Sequence, residues 1–323
     1  MDLRPANRWI VSEYYRGYRL DRFLQAMIPK ISRAKIQSAI RERVTVSWHD
    51  KPRPSMTVSP GSVVTIFFPS VTEPAIPSHP SIVFEDEHLM AADKPAGLLV
   101  HPTHSCLRNN LIHLLRADRP GIPLALAHRL DRDTSGIILL TKSSGAGRLL
   151  AAMFEKRRIG KTYLAIAHGR PREDAGTIDA PLGVSQRLQV VFKRAPDGKN
   201  AQGAVTDFRV LCSDGEVSLI ELSPRTGRRH QLRAHLVALG HPIVGDKLYG
   251  LSDRDFLRHL RGRLGDEARR SLLAERHLLH AFRLRLDHPF TGRALCLEAP
   301  LPEDMRAFLE IRGLTPPPAA TRR

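Results

Sequence analysis

The run Ile137-Ile138-Leu139-Leu140, entered through Ala127-His128-Arg129-Leu130-Asp131-Arg132-Asp133-Thr134-Ser135-Gly136, constrains this chain more than any other stretch. A short apolar run behind turn residues reads as a buried strand. Asp131 stands among arginines at its lip and must stay ionised in a tight, largely apolar place, which is where catalytic carboxylates are found. Two plainer readings compete. Asp131 and Asp133 could be capping or loop carboxylates of a surface turn, or an Asp-x-Asp metal site. The second lacks the nearby Asp, Glu or His residues that would complete an oxygen shell.

The charge balance narrows the partner. A formal net charge of +17 over 323 residues favours a polyanion over a small acidic molecule. With 42% hydrophobic residues the chain can bury a full core, as one large domain plus a small one. No apolar run approaches the roughly 20 residues needed to span a membrane. The start of the chain, with Arg4, Arg8, Glu13, Tyr14 and Tyr15, lacks the apolar stretch of a signal peptide, so a cytoplasmic protein is expected. Cys106, Cys212 and Cys296 are too scattered for a disulfide framework or a zinc site.

Residues 18–69 read as a small unit after an N-terminal extension, 1–17. Leu20, Phe23, Leu24 and Met27 recur at helical spacing, Ser32 is expected to cap a second helix carrying Ile36 and Ile40, and Val44–Val46 and Val63–Phe68 read as strands. Arg33, Lys35, Arg41 and Arg43 lie on the other faces of that helix. The pattern R-L-D-x-x-L, S-R, V-x-V, G-x-V-V resembles the S4 RNA-binding domain. Glu42-Arg43 and Trp48-His49 replace that family's usual glycine and Asn-Gly turn, so the turn must differ. Arg33, Lys35 and Arg41 are candidate RNA contacts, with a solvated helix face as the alternative. Pro74, Pro77 and Pro80 mark residues 70–80 as a linker.

Residues 81–312 form the expected catalytic domain, followed by a flexible tail, 313–323. Short β-rich runs at 82–84, 89–92, 137–140, 161–168, 205–211, 217–222, 282–286 and 294–297 alternate irregularly with helical patterns at 109–116, 146–155, 230–239 and 253–276. That order predicts an α+β fold with a mixed, mainly antiparallel sheet. Neither G-x-G-x-x-G nor G-x-x-x-x-G-K-[ST] occurs, which argues against dinucleotide or P-loop chemistry, and Ser143-Ser144-Gly145-Ala146-Gly147 reads as a helix start. Lys94-Pro95-Ala96-Gly97 closes a strand in a turn, with Lys94 and Pro95 as structural supports. His230 and His235 are five apart, off the spacing that puts two metal ligands on one helix face. The arginine-rich 254–276 region is either an RNA-facing surface or a solvated helix.

The run H-R-L-D-x-x-T-S-G at 128–136 resembles the signature of the RluA-type RNA pseudouridine synthases. Lys94-Pro95-Ala96-Gly97, Lys161-Thr162-Tyr163 and Thr226-Gly227-Arg228-Arg229-His230-Gln231-Leu232-Arg233 are similar to the family's other motifs. The resemblance implies the pseudouridine synthase fold and a reaction without cofactor or metal: the N1 glycosidic bond of an RNA uridine breaks, the uracil turns, and C5 joins the ribose. It implies that Asp131 is the catalytic carboxylate, by addition to C1′ or by proton abstraction at C2′, and that Tyr163 stacks on the extruded uracil. It assigns Arg233 to hold Asp131 ionised, with Arg228 in reserve, Arg129 to fill the space the base vacates, and Leu130 and Leu232 to the apolar lining. Large-subunit ribosomal RNA is the expected substrate and transfer RNA the alternative, acted on by a monomer. Two other readings stay open: a non-catalytic RNA-binding or ribosome-assembly factor, and uracil excision.

Overall fold

The computed structural model describes residues 3–29, 31–69, 73–103, 106–185, 193–196 and 198–315. The chain divides into two compact units, Met1–Thr72 and Glu73–Arg323.

The first unit contains β1 (Leu3–Ile10), α1 (Leu20–Met27), α2 (Arg33–Arg43), β2 (Val44–Val46) and β3 (Val63–Pro69). The strands form an antiparallel sheet in the order β1-β3-β2. Leu20, Phe23 and Leu24 share one face of α1, and Ile36, Ala39 and Ile40 one face of α2. Both faces close over Val44, Val64 and Ile66 because three- and four-residue spacings stack side chains on one side of a helix.

Three expectations are corrected here. The N-terminal extension expected over 1–17 is part of the first unit from residue 3, since β1 pairs along β3 from Leu3–Pro69 to Ile10–Val63. Its sequence hides this: Pro5 and a bulge between Pro5 and Asn7 break the alternation, both tolerated because β1 is an edge strand. Ser32 occupies the N-cap of α2, but its side chain makes no capping bond. Arg33 is committed within the unit, where its Nη2 donates to the fully buried Asp21 at 2.9 Å, beside Arg19 and Gln37. A carboxylate removed from water requires such donors. Lys35 and Arg41 remain exposed.

The expected 70–80 linker is shorter than its composition suggests. The Glu73 carboxylate accepts the backbone N–H groups of Arg108 and Asn109 at 2.8 and 2.7 Å, which ties it to the second unit. Ser70 to Thr72, and the expected tail from residue 316 onward, lie outside the described residues.

The second unit runs β4 (Ser81–Glu85), β5 (Leu89–Lys94), α3 (Leu111–Asp118), β6 (Ala125–Leu126), β7 (Ser135–Thr141), α4 (Ser144–Glu155), β8 (Gly160–His168) and β9 (Ala175–Asp179). There follow β10 (Leu182–Val184), β11 (Arg194–Ala195), β12 (Lys199–Gln202), β13 (Val205–Ser213), β14 (Val217–Pro224), α5 (Gln231–Ala238), α6 (Asp253–Leu260) and α7 (Asp266–Leu272). β15 (Leu279–Asp287), β16 (Ala294–Glu298) and α8 (Glu303–Ile311) complete it. The main sheet has the order β4-β5-β7-β15-β8-β14-β13-β9, with β6 on β7 and β16 on β15. It is antiparallel apart from the β7–β15 pair, as the α+β reading anticipates. β10, β11 and β12 form a separate small sheet.

All seven residues of β7 are buried. Ile138 and Leu140 pack with Leu111 and Leu115 of α3, while Ile137 and Leu139 pack with Ala146 and Leu150 of α4. A strand covered on both faces has no polar side, which is why its sequence is a continuous apolar run. At its start Gly136 has φ +107°, and a Cβ there would fall 2.2 Å from the Ala281 carbonyl oxygen of β15. Only glycine permits the two backbones to approach this closely. The single helix expected over 253–276 is two helices, α6 and α7, parted at Gly262, which has φ +68°.

Candidate active site

The loop between β6 and β7 presents Asp131, and its backbone is fixed from two sides. Lys94, at the end of β5 and fully buried, donates 2.8 Å hydrogen bonds to the carbonyls of Pro95, Leu98 and Arg132. Burial pushes its pKa down to about 7, against the opposing charge of Asp133. On the other side Thr134 Oγ1 lies 2.8 Å from His277 Nε2, and Arg276 donates to the Asp133 carbonyl at 3.0 Å while paired with Asp304. His128 Nε2 accepts the Leu139 N–H at 3.0 Å, joining the loop's first residues to β7. Asp133 pairs with the neighbouring Arg132.

Asp131 meets its cation from α5. Arg233 Nη1 donates to Asp131 Oδ2 at 2.8 Å, while Arg233 Nε and Nη2 form a two-pronged pair with Asp246 at 2.7 and 2.8 Å. Asp246 is buried, and its Oδ1 also accepts the backbone N–H groups of Leu248 and Tyr249. The guanidinium is thus gripped along one edge and offers the other to Asp131, a geometry suited to arginine and not to lysine. The Arg233 side chain is 9% exposed and that of Asp131 24%. Oδ1 of Asp131 receives no hydrogen bond among the described residues.

Burial pushes the Asp131 carboxyl upward, but the charge His230 carries when protonated in acid, the permanent charge of Arg233 and the Arg233 hydrogen bond outweigh it and leave the group below the ordinary carboxylate value. Burial also drives His230, 3.9 Å from Asp131, down to about 4. His230 is therefore neutral at pH 7, and the balancing cation is Arg233. Tyr163 on β8, registered against Leu222 and Ala281, is pushed up to about 12 by burial and by Asp131. It presents a neutral ring throughout the physiological range.

One cavity of about 100 Å³ gathers all seven catalytic and substrate-binding candidates in this unit. Arg129, Leu130, Asp131, Tyr163, Arg228, Leu232 and Arg233 line it together. Between the two arginines proposed for Asp131, the contact belongs to Arg233, whereas Arg228 Nε donates to the Gly203 carbonyl at 3.2 Å. Arg129 is exposed at the rim. His235 lies against Thr206 and the Ala180 carbonyl as a packed polar residue, and among the described residues no His, Cys, Asp and Glu group is placed to hold a metal.

Sequence reasoning missed Asp246, His230 and Tyr249 as parts of this site. Tyr249 OH accepts the Arg194 N–H at 2.9 Å and lies 3.2 Å from His230 Nδ1. The signal available for Asp246 was its place after Gly245 in an otherwise apolar turn. Gly245 has φ +78°, and a Cβ there would overlap the Arg276 carbonyl.

A family model described as RNA pseudouridylate synthase matches residues 88–238. Ribosomal large subunit pseudouridine synthase D of Nitrosomonas europaea is 34% identical over 309 residues, covering 92% of this chain and 86% of that protein. The tRNA pseudouridine synthase C of Salmonella typhimurium is 40% identical over 250 residues, covering 73% of this chain and 92% of that one. Among solved structures, human RNA Pseudouridylate Synthase Domain Containing 4 superposes with a TM-score of 0.58 at 30% identity, covering 74% of this chain and 95% of that one.

Proposed function

The chain belongs to the RNA pseudouridine synthase family, in its RluA-type branch, and on that premise we propose that it isomerises uridines of large-subunit ribosomal RNA through Asp131. The observation that carries the assignment to Asp131 is its half-satisfied state. One carboxylate oxygen is held by Arg233, and the other receives no hydrogen bond among the described residues.

In this reading the extruded uridine enters between Tyr163 and the Asp131 loop. The ionised carboxylate acts on the ribose, either by adding at C1′ as N1 departs or by removing the C2′ proton. The freed uracil stays on the neutral Tyr163 ring, turns, and forms the C5–C1′ bond as the carboxylate leaves C1′ in the first route or returns the proton to C2′ in the second; the C5 proton then leaves to restore the aromatic base. Leu130 and Leu232 wall the cavity against water that would hydrolyse the intermediate. Arg129, exposed at the rim, is positioned to occupy the stack that the base vacates.

Ribosomal RNA is favoured over other substrates by two features. The Nitrosomonas relative covers 92% of the chain, so the similarity reaches into the first unit, which Glu73–Arg323 does not include. That unit keeps exposed Lys35 and Arg41 on α2, in keeping with an S4-like RNA-binding role. The Salmonella relative, named for transfer RNA and more identical over a shorter span, supports the second reading. Pseudouridine mapping of total RNA from cells with and without the gene separates them. Sites lost from large-subunit ribosomal RNA support the proposal, and sites lost from transfer RNA alone replace it.

A further inference from the structure

The cleft extends beyond the cavity that holds Asp131. Lys161, Gly227 and Arg228 are common to three adjoining cavities: the one of about 100 Å³, a second of about 480 Å³ that also includes Asp131 and Tyr163, and a third of about 750 Å³. The third contains neither Asp131 nor Tyr163 and runs along Phe154, Arg157, Arg225 and Arg285. Its size is that of a ligand site, yet isomerising one uridine makes no use of it.

The charges along this extension are of two kinds. Arg225 is neutralised by Asp207, with bonds of 2.7 Å. Arg157 and Arg285 have no ion pair among the described residues, and neither has Lys161. The Lys161 ammonium is half-buried, lies 5.9 Å from the Phe154 ring centre, and makes no hydrogen bond among the described residues. Gly227 lies beside that ammonium, where even an added Cβ would make only ordinary contact, 3.7 Å from Nζ. A cation partly withdrawn from water with no anion beside it is costly unless a ligand supplies the charge. Here the ammonium stands at the junction between the target cavity and the next one.

We propose that Lys161 binds the phosphodiester linking the target uridine to its neighbour, and that the 750 Å³ cavity seats this neighbouring nucleotide, with Arg157 and Arg285 on the phosphate beyond it. This rests on the reading of the chain as an RNA uridine isomerase. An RNA strand passing through the cleft carries one anion per nucleotide, and Lys161, Arg157 and Arg285, without an ion pair among the described residues, lie at the junction and along the far cavity, in that order. Recognition of this kind positions a strand without reading its sequence.

The test pairs Lys161→Met with stem-loop RNAs carrying one neutral methylphosphonate immediately 5′ or 3′ of the target uridine. For one of the two positions the wild type loses about ten-fold in kcat/KM, chiefly through KM, the scale of a hydrogen bond to a charged group. Lys161→Met shows that same loss on unmodified RNA and no further loss on the modified one. Losses that multiply at both positions, or Lys161→Met equal to wild type, overturn the proposal. As a second arm, Arg157→Ala/Arg285→Ala weakens turnover several-fold on RNAs extending beyond that side and leaves RNAs truncated there unaffected; equal losses on both count against it. The same pattern is read in binding, by fluorescence anisotropy with the Asp131→Asn protein. Non-additive binding with no pseudouridine formed by the wild type would leave this site standing and overturn only the activity.

Discussion

The tripeptide Arg-Leu-Asp occurs three times in the sequence, and two of these, Arg19-Leu20-Asp21 in the first unit and Arg129-Leu130-Asp131 in the second, have opposite outcomes. In the first, Asp21 is fully buried and both oxygens are occupied: Arg19 binds Oδ1, and Arg33 and Gln37 bind Oδ2. The arginine two residues upstream turns back onto its own aspartate. In the second, Arg129 is exposed on the cleft, and the cation on Asp131 comes from 102 residues away. Only Oδ2 is held among the described residues. A carboxylate with both oxygens engaged is a rivet, whereas one ionised by a single distant cation keeps an oxygen for chemistry. The number of donors around the group, and not the local sequence, separates the two.

Removing each carboxylate in turn breaks the comparison most sharply. Asp131→Asn lowers kcat by at least about four orders of magnitude, measured as pseudouridine formed on a transcript, while the melting temperature and RNA affinity stay near wild type. Retained turnover would remove Asp131 from the chemistry. Asp21→Asn does the reverse: kcat holds within about two-fold, and stability to denaturant falls by about 3 kcal/mol. That is the lower end for breaking a buried pair, because both arginines reach water. The sign with pH follows from the depressed Asp21 carboxyl, for which burial acts upward and the bonds from Arg19, Gln37 and Arg33 prevail. Its contribution is complete above the unfolded pKa near 4 and lost on further acidification, so the variant's stability is flatter across that range. A wild-type acid dependence in Asp21→Asn would contradict this.

The next two substitutions sharpen the contrast between the cations. Arg233→Lys cannot serve Asp246 and Asp131 at once, and it costs about a hundred-fold in kcat/KM. It also lets the Asp131 carboxyl rise, so the acid limb of the kcat/KM profile moves to higher pH by about one unit or more. An unmoved limb would mean that Arg233 acts only structurally. Arg129 makes no side-chain hydrogen bond or ion pair among the described residues, so Arg129→Ala leaves the melting temperature unchanged and lowers kcat/KM about ten-fold. Thermal destabilisation in that variant would place Arg129 on the same footing as Arg19.

Much of this was legible from the residues, for identifiable reasons. β7 showed itself because burial on both faces imposes an uninterrupted apolar run, and α1 because its four apolar residues fall on one side. The mainly antiparallel sheet followed from strands occurring in runs. By contrast β10, β11 and β12 are two to four residues long and carry no alternating pattern, so nothing local distinguishes them from loop. β1 was concealed by Pro5 and its bulge. α8 was overlooked although Pro302, acidic residues in its first turn, and buried Met305 and Leu309 four apart give a helix start and a face. At the site, Asp131, Tyr163 and Arg233 were recognisable from their motifs. The choice between Arg228 and Arg233, and the part of Asp246, depend on contacts between residues far apart in the chain, which no window of sequence displays.

The position of β15 has a consequence for how the protein comes into being. This strand, synthesised more than 100 residues after both of its neighbours, lies between β7, which follows Asp131, and β8, which bears Tyr163. A nascent chain that has emerged only as far as residue 278 possesses every motif and still lacks the spacer that sets them apart at working distance. Long-range pairings of this kind form late, so the two faces of the cleft reach their working separation only once residues 279–287 have paired between them.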